Sequence, residues 1–117
     1  MFGFEKLDVW NLAIQFSNDI YTATRQFPAD ERFGLTNQLR RASVSIAANL
    51  AEGSGRGSGT DFGRFITIAF GSLMETVSHL RIAKDQGFLS DNDHKRLYET
   101  SERLAKMLSG LRASLKN

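Results

Sequence analysis

The chain has 117 residues, no cysteine, one proline and no apolar run approaching the ~18 residues that a membrane span requires. Without cysteine, disulfides and thiolate metal sites are excluded. The opening stretch, "MFGFEKLDVW", carries two acids and lacks a basic region followed by an apolar block, so no secretory signal is expected. The cytoplasm is the expected compartment, with no membrane partner. A strong charge of either sign is missing as well: 15 Lys and Arg stand against 13 Asp and Glu, a formal charge of +2. Residues 1–34 carry net −2, residues 35–59 net +2, residues 60–88 balance, and residues 89–117 carry net +2. The isoelectric point near 9.2 is therefore a small excess over a mixed background, not a basic tail. Such a balance permits weak nucleic-acid contact without demanding it.

Hydrophobic residues make up 41% and charged residues 24%, ordinary for one soluble domain with a single core. Three breaks divide the chain: Pro28, the glycine cluster at 53–59, and "DQGFLSD" at 85–91. Between them lie four segments with helical periodicity, and no alternating strand pattern of useful length. The helices are expected at about 6–27, 30–52, 60–86 and 91–115, with an irregularity near Gly34. Four helices with short connections imply an all-α, single-domain, antiparallel up-down-up-down four-helix bundle.

The last segment is the most regular. Leu97, Ser101, Leu104, Leu108, Leu111 and Leu115 form one narrow stripe. The opposite face carries Lys95, Glu99, Glu102, Arg103 and Lys106, with Glu99–Arg103 and Glu102–Lys106 at the favourable i,i+4 order. That face reads as a solvated, locally paired surface. The third segment buries Phe62, Phe65, Ile66, Ala69, Leu73, Val77 and Leu80, widened by Phe70 and Met74. Ser58 with Asp61, and Ser90 with Asp93, have the spacing of capping boxes, and Gly87 supplies a helix stop.

The first two helices carry apolar surface in excess. Helix one distributes Leu7, Val9, Trp10, Leu12, Ala13, Ile14, Phe16, Ile20, Tyr21, Ala23 and Phe27 over more than half its circumference, where a bundle helix needs an apolar arc of little more than ~100°. Helix two has a core stripe of Leu35, Leu39, Ala42, Ile46 and Leu50, and a second side of Val44, Ala47 and Ala51. Surplus apolar surface marks a partner surface. Self-association is therefore expected, with Trp10, Phe16, Ile20, Val44, Ala47 and Ala51 at the interface.

The stretch "NLAEGSGRGSGTDFGRF" (49–65) resembles a phosphate loop at first sight, but fits none. A dinucleotide fingerprint fails at Ser58 or Thr60, a P-loop needs a lysine that is absent between Lys6 and Lys84, and no strand precedes it. Gly53 and Gly55 suit a helix end, and Ser58 with Asp61 suits the next helix start, so the stretch is first a corner. A weaker functional reading keeps Arg56, the mobile backbone around it and the positive end of helix three as an anion contact. Arg40, Arg41 and Arg64 would extend that patch toward RNA or DNA.

Catalytic chemistry has no positive signal. His79 and His94 read as solvated residues, because the inward positions of the bundle are Leu, Ile, Phe and Ala rather than the carboxylates and histidines of a di-iron site. No metal or cofactor is expected. Asn49 sits at the edge of helix two's core stripe, where its amide must find a partner. It reads as a structural hydrogen bond to the corner or a neighbouring helix, or as a polar contact at a ring opening.

"FEKLDVWNLAIQF", "FGLTNQLRRASVSIAANLAEGSGRGS" and "FGRFITIAFGSL" together resemble the 23S rRNA intervening-sequence proteins, and the likeness continues through "RIAKDQGFLS" into the last helix. That family also includes the accessory variability protein of diversity-generating retroelements. The resemblance implies an antiparallel four-helix subunit in a ring of five, and for the retroelement branch a basic ring surface that contacts nucleic acid. Where the family often has proline, this chain has Ala47, so helix two is expected to run straighter. Two functions remain: a non-catalytic oligomeric scaffold or adaptor with a protein partner, which the residues favour, and a nucleic-acid-binding accessory module.

Overall fold

The computed structural model describes residues 1–115. Helices form where the apolar periodicity places them: α1 Asp8–Thr24, α2 Leu35–Ser54, α3 Gly59–Asp85 and α4 Asp91–Ser114, with no strand among the described residues. Short 3-10 turns at Gly3–Lys6 and Ala29–Glu31 precede α1 and α2. The largest departure from expectation is at the first connection, where α1 ends at Thr24 and α2 starts only at Leu35. Pro28 is the cause. It has no N–H to continue a helix, it is extended (φ −55°, ψ 143°), and the chain re-enters helix through the 3-10 turn. The Glu31 carboxylate then accepts from the Leu35 N–H at 3.0 Å and satisfies the start of α2. At its other end α2 runs past Glu52 to Ser54, and with Ala47 in place of proline it is uninterrupted.

Ser58 and Ser90 cap α3 and α4, their hydroxyls accepting from the Asp61 and Asp93 N–H groups at 3.1 Å each. Only half of each expected capping box forms. The Asp61 and Asp93 carboxylates turn instead to Arg64 and Arg96, at 3.0 Å each. At the end of α3, Gly87 is left-handed (φ 78°). The Phe88 N–H donates to the Ala83 carbonyl and the Gly87 N–H to the Lys84 carbonyl, closing a Schellman turn. On α4 the expected pairs Glu99–Arg103 and Glu102–Lys106 do not close among the described residues; the ion pair there is Asp93–Arg96. Exposed side chains at this spacing gain too little to be held together.

Each helix packs on its neighbours in sequence, and α4 closes against α1. Phe27 and Phe88 meet with ring centroids 5.7 Å apart, which brings the α1–α2 and α3–α4 turns to one end. At the other end, Arg112 of α4 donates to Thr67 of α3 at 3.2 Å. α1 and α3 therefore run one way and α2 and α4 the other, the up-down-up-down order that the short connections require. The molecule measures 46 × 23 × 22 Å, consistent with the ~40 Å length of the 27-residue α3.

The core axis is filled by Phe16 and Ile20 of α1, Leu39, Ile46 and Leu50 of α2, Leu73 and Leu80 of α3, and Leu97, Leu104 and Leu108 of α4. Hydroxyls are buried among them. Thr24, Thr76 and Ser101 each donate to the carbonyl four residues earlier, at 2.7–2.8 Å, so each is satisfied within its own helix. Ser17 and Ser43 share a hydrogen bond of 3.3 Å between α1 and α2.

The tightest approach is at Gly53, which is inside α2 rather than beyond its end. A Cβ there would lie 2.6 Å from the Phe65 Cβ and 3.0 Å from Phe62, with no flexible atom to give way. Gly71, exposed in the middle of α3, has nothing within 4 Å of such a Cβ. Gly53→Ala is expected to destabilise the fold by about 1–3 kcal/mol, whereas Gly71→Ala should stabilise it by about 0.5–1 kcal/mol. Urea unfolding followed by circular dichroism at fixed protein concentration measures both.

Candidate functional site

The glycine stretch is a helix–helix corner. The Gly55 and Arg56 N–H groups donate to the carbonyls of Glu52 and Gly53 at 3.1 Å and close α2. Gly57 takes the left-handed turn (φ 84°) and Ser58 opens α3. Arg56 folds back over this corner. Its guanidinium bonds Glu52 at 3.1 Å and lies over the Phe65 ring at 4.8 Å. Glu52 thus has a defined part as the counter-charge of Arg56. Arg64 is paired with Asp61 at 3.0 Å.

The other two candidate arginines lie elsewhere. Arg40 is sixteen residues before Arg56, roughly 24 Å along the helix at ~1.5 Å per residue. Its Nε donates to the Thr24 hydroxyl at 2.9 Å and its guanidinium covers the Tyr21 ring at 4.6 Å, so it faces α1. Arg41 faces the other way, on a polar groove with Ser45, Ser72 and Glu75 between α2 and α3. The four arginines do not make one patch. The cations that share a surface with Arg40 are Arg25 and Arg32, which line one depression with it. Sequence reasoning passed over them, because they stand in the acidic first third of the chain and only folding brings positions 25, 32 and 40 together.

The Asn49 amide does not reach the corner. It donates back along α2 to the Ser45 carbonyl and hydroxyl, at 2.8 and 2.9 Å. The Ser72 hydroxyl donates to the same Ser45 oxygen at 2.9 Å, linking this node to α3.

A second surface is apolar. Arg40 stacks on Tyr21, which fixes the outer side of the α1/α2 pair. Ile14 lies two helical turns from Tyr21 on the same stripe, and Val44 one turn from Arg40 on the facing helix. Ile14 and Tyr21 are each 37% exposed and Val44 44% exposed. Trp10 and Ala51, both half-buried, continue the strip toward the N-terminal turn. There Phe2 stacks on Phe4 at 6.0 Å, Phe4 meets the Trp10 ring edge-on at 5.1 Å, and the turn walls a depression with Leu7, Ala51 and Phe62. Three of the residues expected at an interface are not on this strip. Phe16 and Ile20 are fully buried in the bundle's own core and Ala47 nearly so, because their positions on the helices point inward. Trp10, Val44 and Ala51 remain at the surface, with Ile14 and Tyr21 beside them.

The histidines differ from one another. His79 is half-buried, and its Nδ1 is enclosed without a hydrogen-bond partner, so it is not the solvated residue its polar neighbours suggest. His94 stacks on Tyr98 at 5.9 Å. Burial first, then the Lys84 and Arg81 cations, holds its pKa below the ordinary histidine value. Among the described residues no three His, Cys, Asp or Glu side chains gather in a way that could hold a metal.

An antiparallel four-helix bundle, with an apolar strip on the outer α1/α2 face, defines the class of protein. The chain belongs to the 23S rRNA-intervening sequence protein family, whose profile matches residues 5–110. A protein of unknown function of the S23 ribosomal protein family from Bacteroides thetaiotaomicron VPI-5482 has a similar fold, with a TM-score of 0.83 and 21% identity over 90% of this chain and 95% of that one. No curated protein matches the chain. Family and fold agree with the resemblance visible in the sequence, and neither carries a biochemical role.

At the corner, the pairing of Arg56 with Glu52 is half-exposed on both sides, which limits its worth to about 0.3–0.5 kcal/mol. Arg56→Ala should therefore leave the chemical unfolding midpoint almost unchanged, in contrast to Gly53→Ala one turn away.

Proposed function

We propose that the protein is a non-catalytic scaffold subunit that assembles with copies of itself through the outer α1/α2 face. The observation that carries this reading is the strip of Ile14, Tyr21 and Val44, large apolar side chains left over a third exposed beside the small Ala51. Water contact at such a strip is unfavourable by ~25 cal/mol for every Å² left uncovered, and small residues let a partner helix approach closely. A ring of five rests on the family resemblance, and its remaining faces would receive a protein partner in an adaptor role. The non-catalytic part is supported by the buried polar side chains, which among the described residues are Ser and Thr without a buried carboxylate or imidazole to activate them. Among the described residues no helix is long and apolar enough to cross a membrane, and a cytoplasmic location belongs to the same proposal. Nucleic-acid contact through Arg56 and Arg64 has less support, since each already has a carboxylate partner.

Light scattering after gel filtration tests the proposal. The intact chain should elute as a defined oligomer at micromolar concentration, and Val44→Glu or Ile14→Glu should lower its mass toward that of one 13.1 kDa chain. Tyr98→Glu, on exposed α4, should leave the mass unchanged while circular dichroism shows all three variants folded. A monomeric intact chain would refute self-association, and loss of assembly only in the Tyr98 variant would move the interface to α4.

A further inference from the structure

The turn from α1 into α2 surrounds an open depression of about 360 Å³. Thr24, Arg25, Arg32, Thr36 and Arg40 line it over an apolar floor around Pro28. We infer that this depression is a binding site for a phosphate-type oxyanion, gripped by the guanidinium groups of Arg25, Arg32 and Arg40. The inference does not depend on self-association.

Charge is the first argument. The ion pairs among the described residues engage Arg56, Arg64, Arg81 and Arg96, each with a carboxylate three or four residues away. Arg25, Arg32 and Arg40 have no such partner, and no acid lines the depression. The acids of the turn itself are Asp30 and Glu31. Glu31 is held by the Leu35 N–H at the start of α2, and Asp30 makes no ion pair. Three cations facing one depression repel one another, and an anion between them relieves that repulsion while gaining charge-assisted hydrogen bonds.

Geometry is the second argument. Arg40 is half-buried and held from two sides, by the Thr24 hydroxyl at its Nε and the Tyr21 ring under its plane. Its two terminal nitrogens are left without a protein partner, and a guanidinium fixed in this way presents a fork that matches two oxygens of a phosphate. Thr36 also lines the depression, and among the described residues no hydrogen bond engages its hydroxyl. That oxygen is open to the depression rather than enclosed, so it is free to donate to a ligand oxygen there. The volume is at the small end of the ~300–1,000 Å³ range of ligand pockets, which suits a phosphoryl group with a modest attachment. That group can be free phosphate or a small phosphomonoester, or a backbone phosphate of a nucleic-acid strand; the recognition chemistry is the same.

Calorimetric titration of the full chain at low salt separates the sources. One arm uses inorganic phosphate and the other a short single-stranded RNA without terminal phosphates, which presents diesters only. At least one probe should bind. The double variant Arg25→Gln/Arg32→Gln, in which both side chains are exposed and the fold is expected to persist, should weaken that binding at least about tenfold. Thr36→Val should weaken it by a smaller factor, and Arg64→Ala at the opposite end should leave it unchanged. Phosphate binding alone assigns the site to a small phosphorylated ligand, and RNA binding with the same variant pattern assigns it to a strand backbone. No binding of either probe to the intact chain would overturn the inference, and so would affinities that are the same in the double variant or fall equally in Arg64→Ala.

Discussion

At Gly53 the α2 backbone lies so close to Phe65 that not even a methyl group fits between them. The α2–α3 pair is organised around that contact. It sets the depth at which α3 meets α2, and the corner from Gly55 to Ser58 must then reverse the chain within four residues. Gly57 makes the left-handed turn, Arg56 folds over Phe65 and onto Glu52, and Ser58 restarts the helix. Further along the same pair, the Ser45–Ser72 hydrogen bond ties the two helices where Asn49 also anchors. The core leucines above and below this line interdigitate because the pair has been fixed at one depth.

Charge follows the same geometry. Arg56, Arg64, Arg81 and Arg96 each have a carboxylate three or four residues away, so those cations are neutralised within a turn of helix. The α1–α2 connection is different. Pro28 makes it longer and more open, its Glu31 carboxylate is engaged with the backbone of α2, and Arg25, Arg32 and Arg40 gather without counter-charges. The glycine-rich stretch that attracts attention in the sequence lies at the opposite end of α2, where Arg56 and Arg64 are each paired with a carboxylate.

The two candidate surfaces are physically separate in kind. The α1/α2 strip is apolar and shallow, suited to a flat partner helix, while the depression at the end of the same helix pair is cationic and concave. A scaffold built on the first could present the second at a regular spacing. Membership of the 23S rRNA-intervening sequence protein family and the likeness to a structure of unknown function are compatible with such a subunit, and the chemistry has to be read from these surfaces.

Helix number, type and order were legible in the residues, because a 3.6-residue apolar period and the punctuation at Pro28, 53–59 and 85–91 are local properties of the chain. Ser58, Ser90 and Gly87 were legible for the same reason, since a cap involves only near neighbours. What the sequence by itself determined is thus which segments coil and which faces are apolar. Only the tertiary structure decided how each apolar face is used. Phe16, Ile20 and Ala47 lie on the same two helices as Trp10 and Val44, yet they are consumed by the bundle's own core, while Ile14 and Tyr21 are left outside. It also decided that Gly53 is needed for a close approach rather than for a helix end, that the Nδ1 of His79 is enclosed, and that Arg25, Arg32 and Arg40 share one depression. The reason is that burial and ion pairing depend on which elements face each other across the bundle, and the distances across it are fixed by packing between residues far apart in the chain.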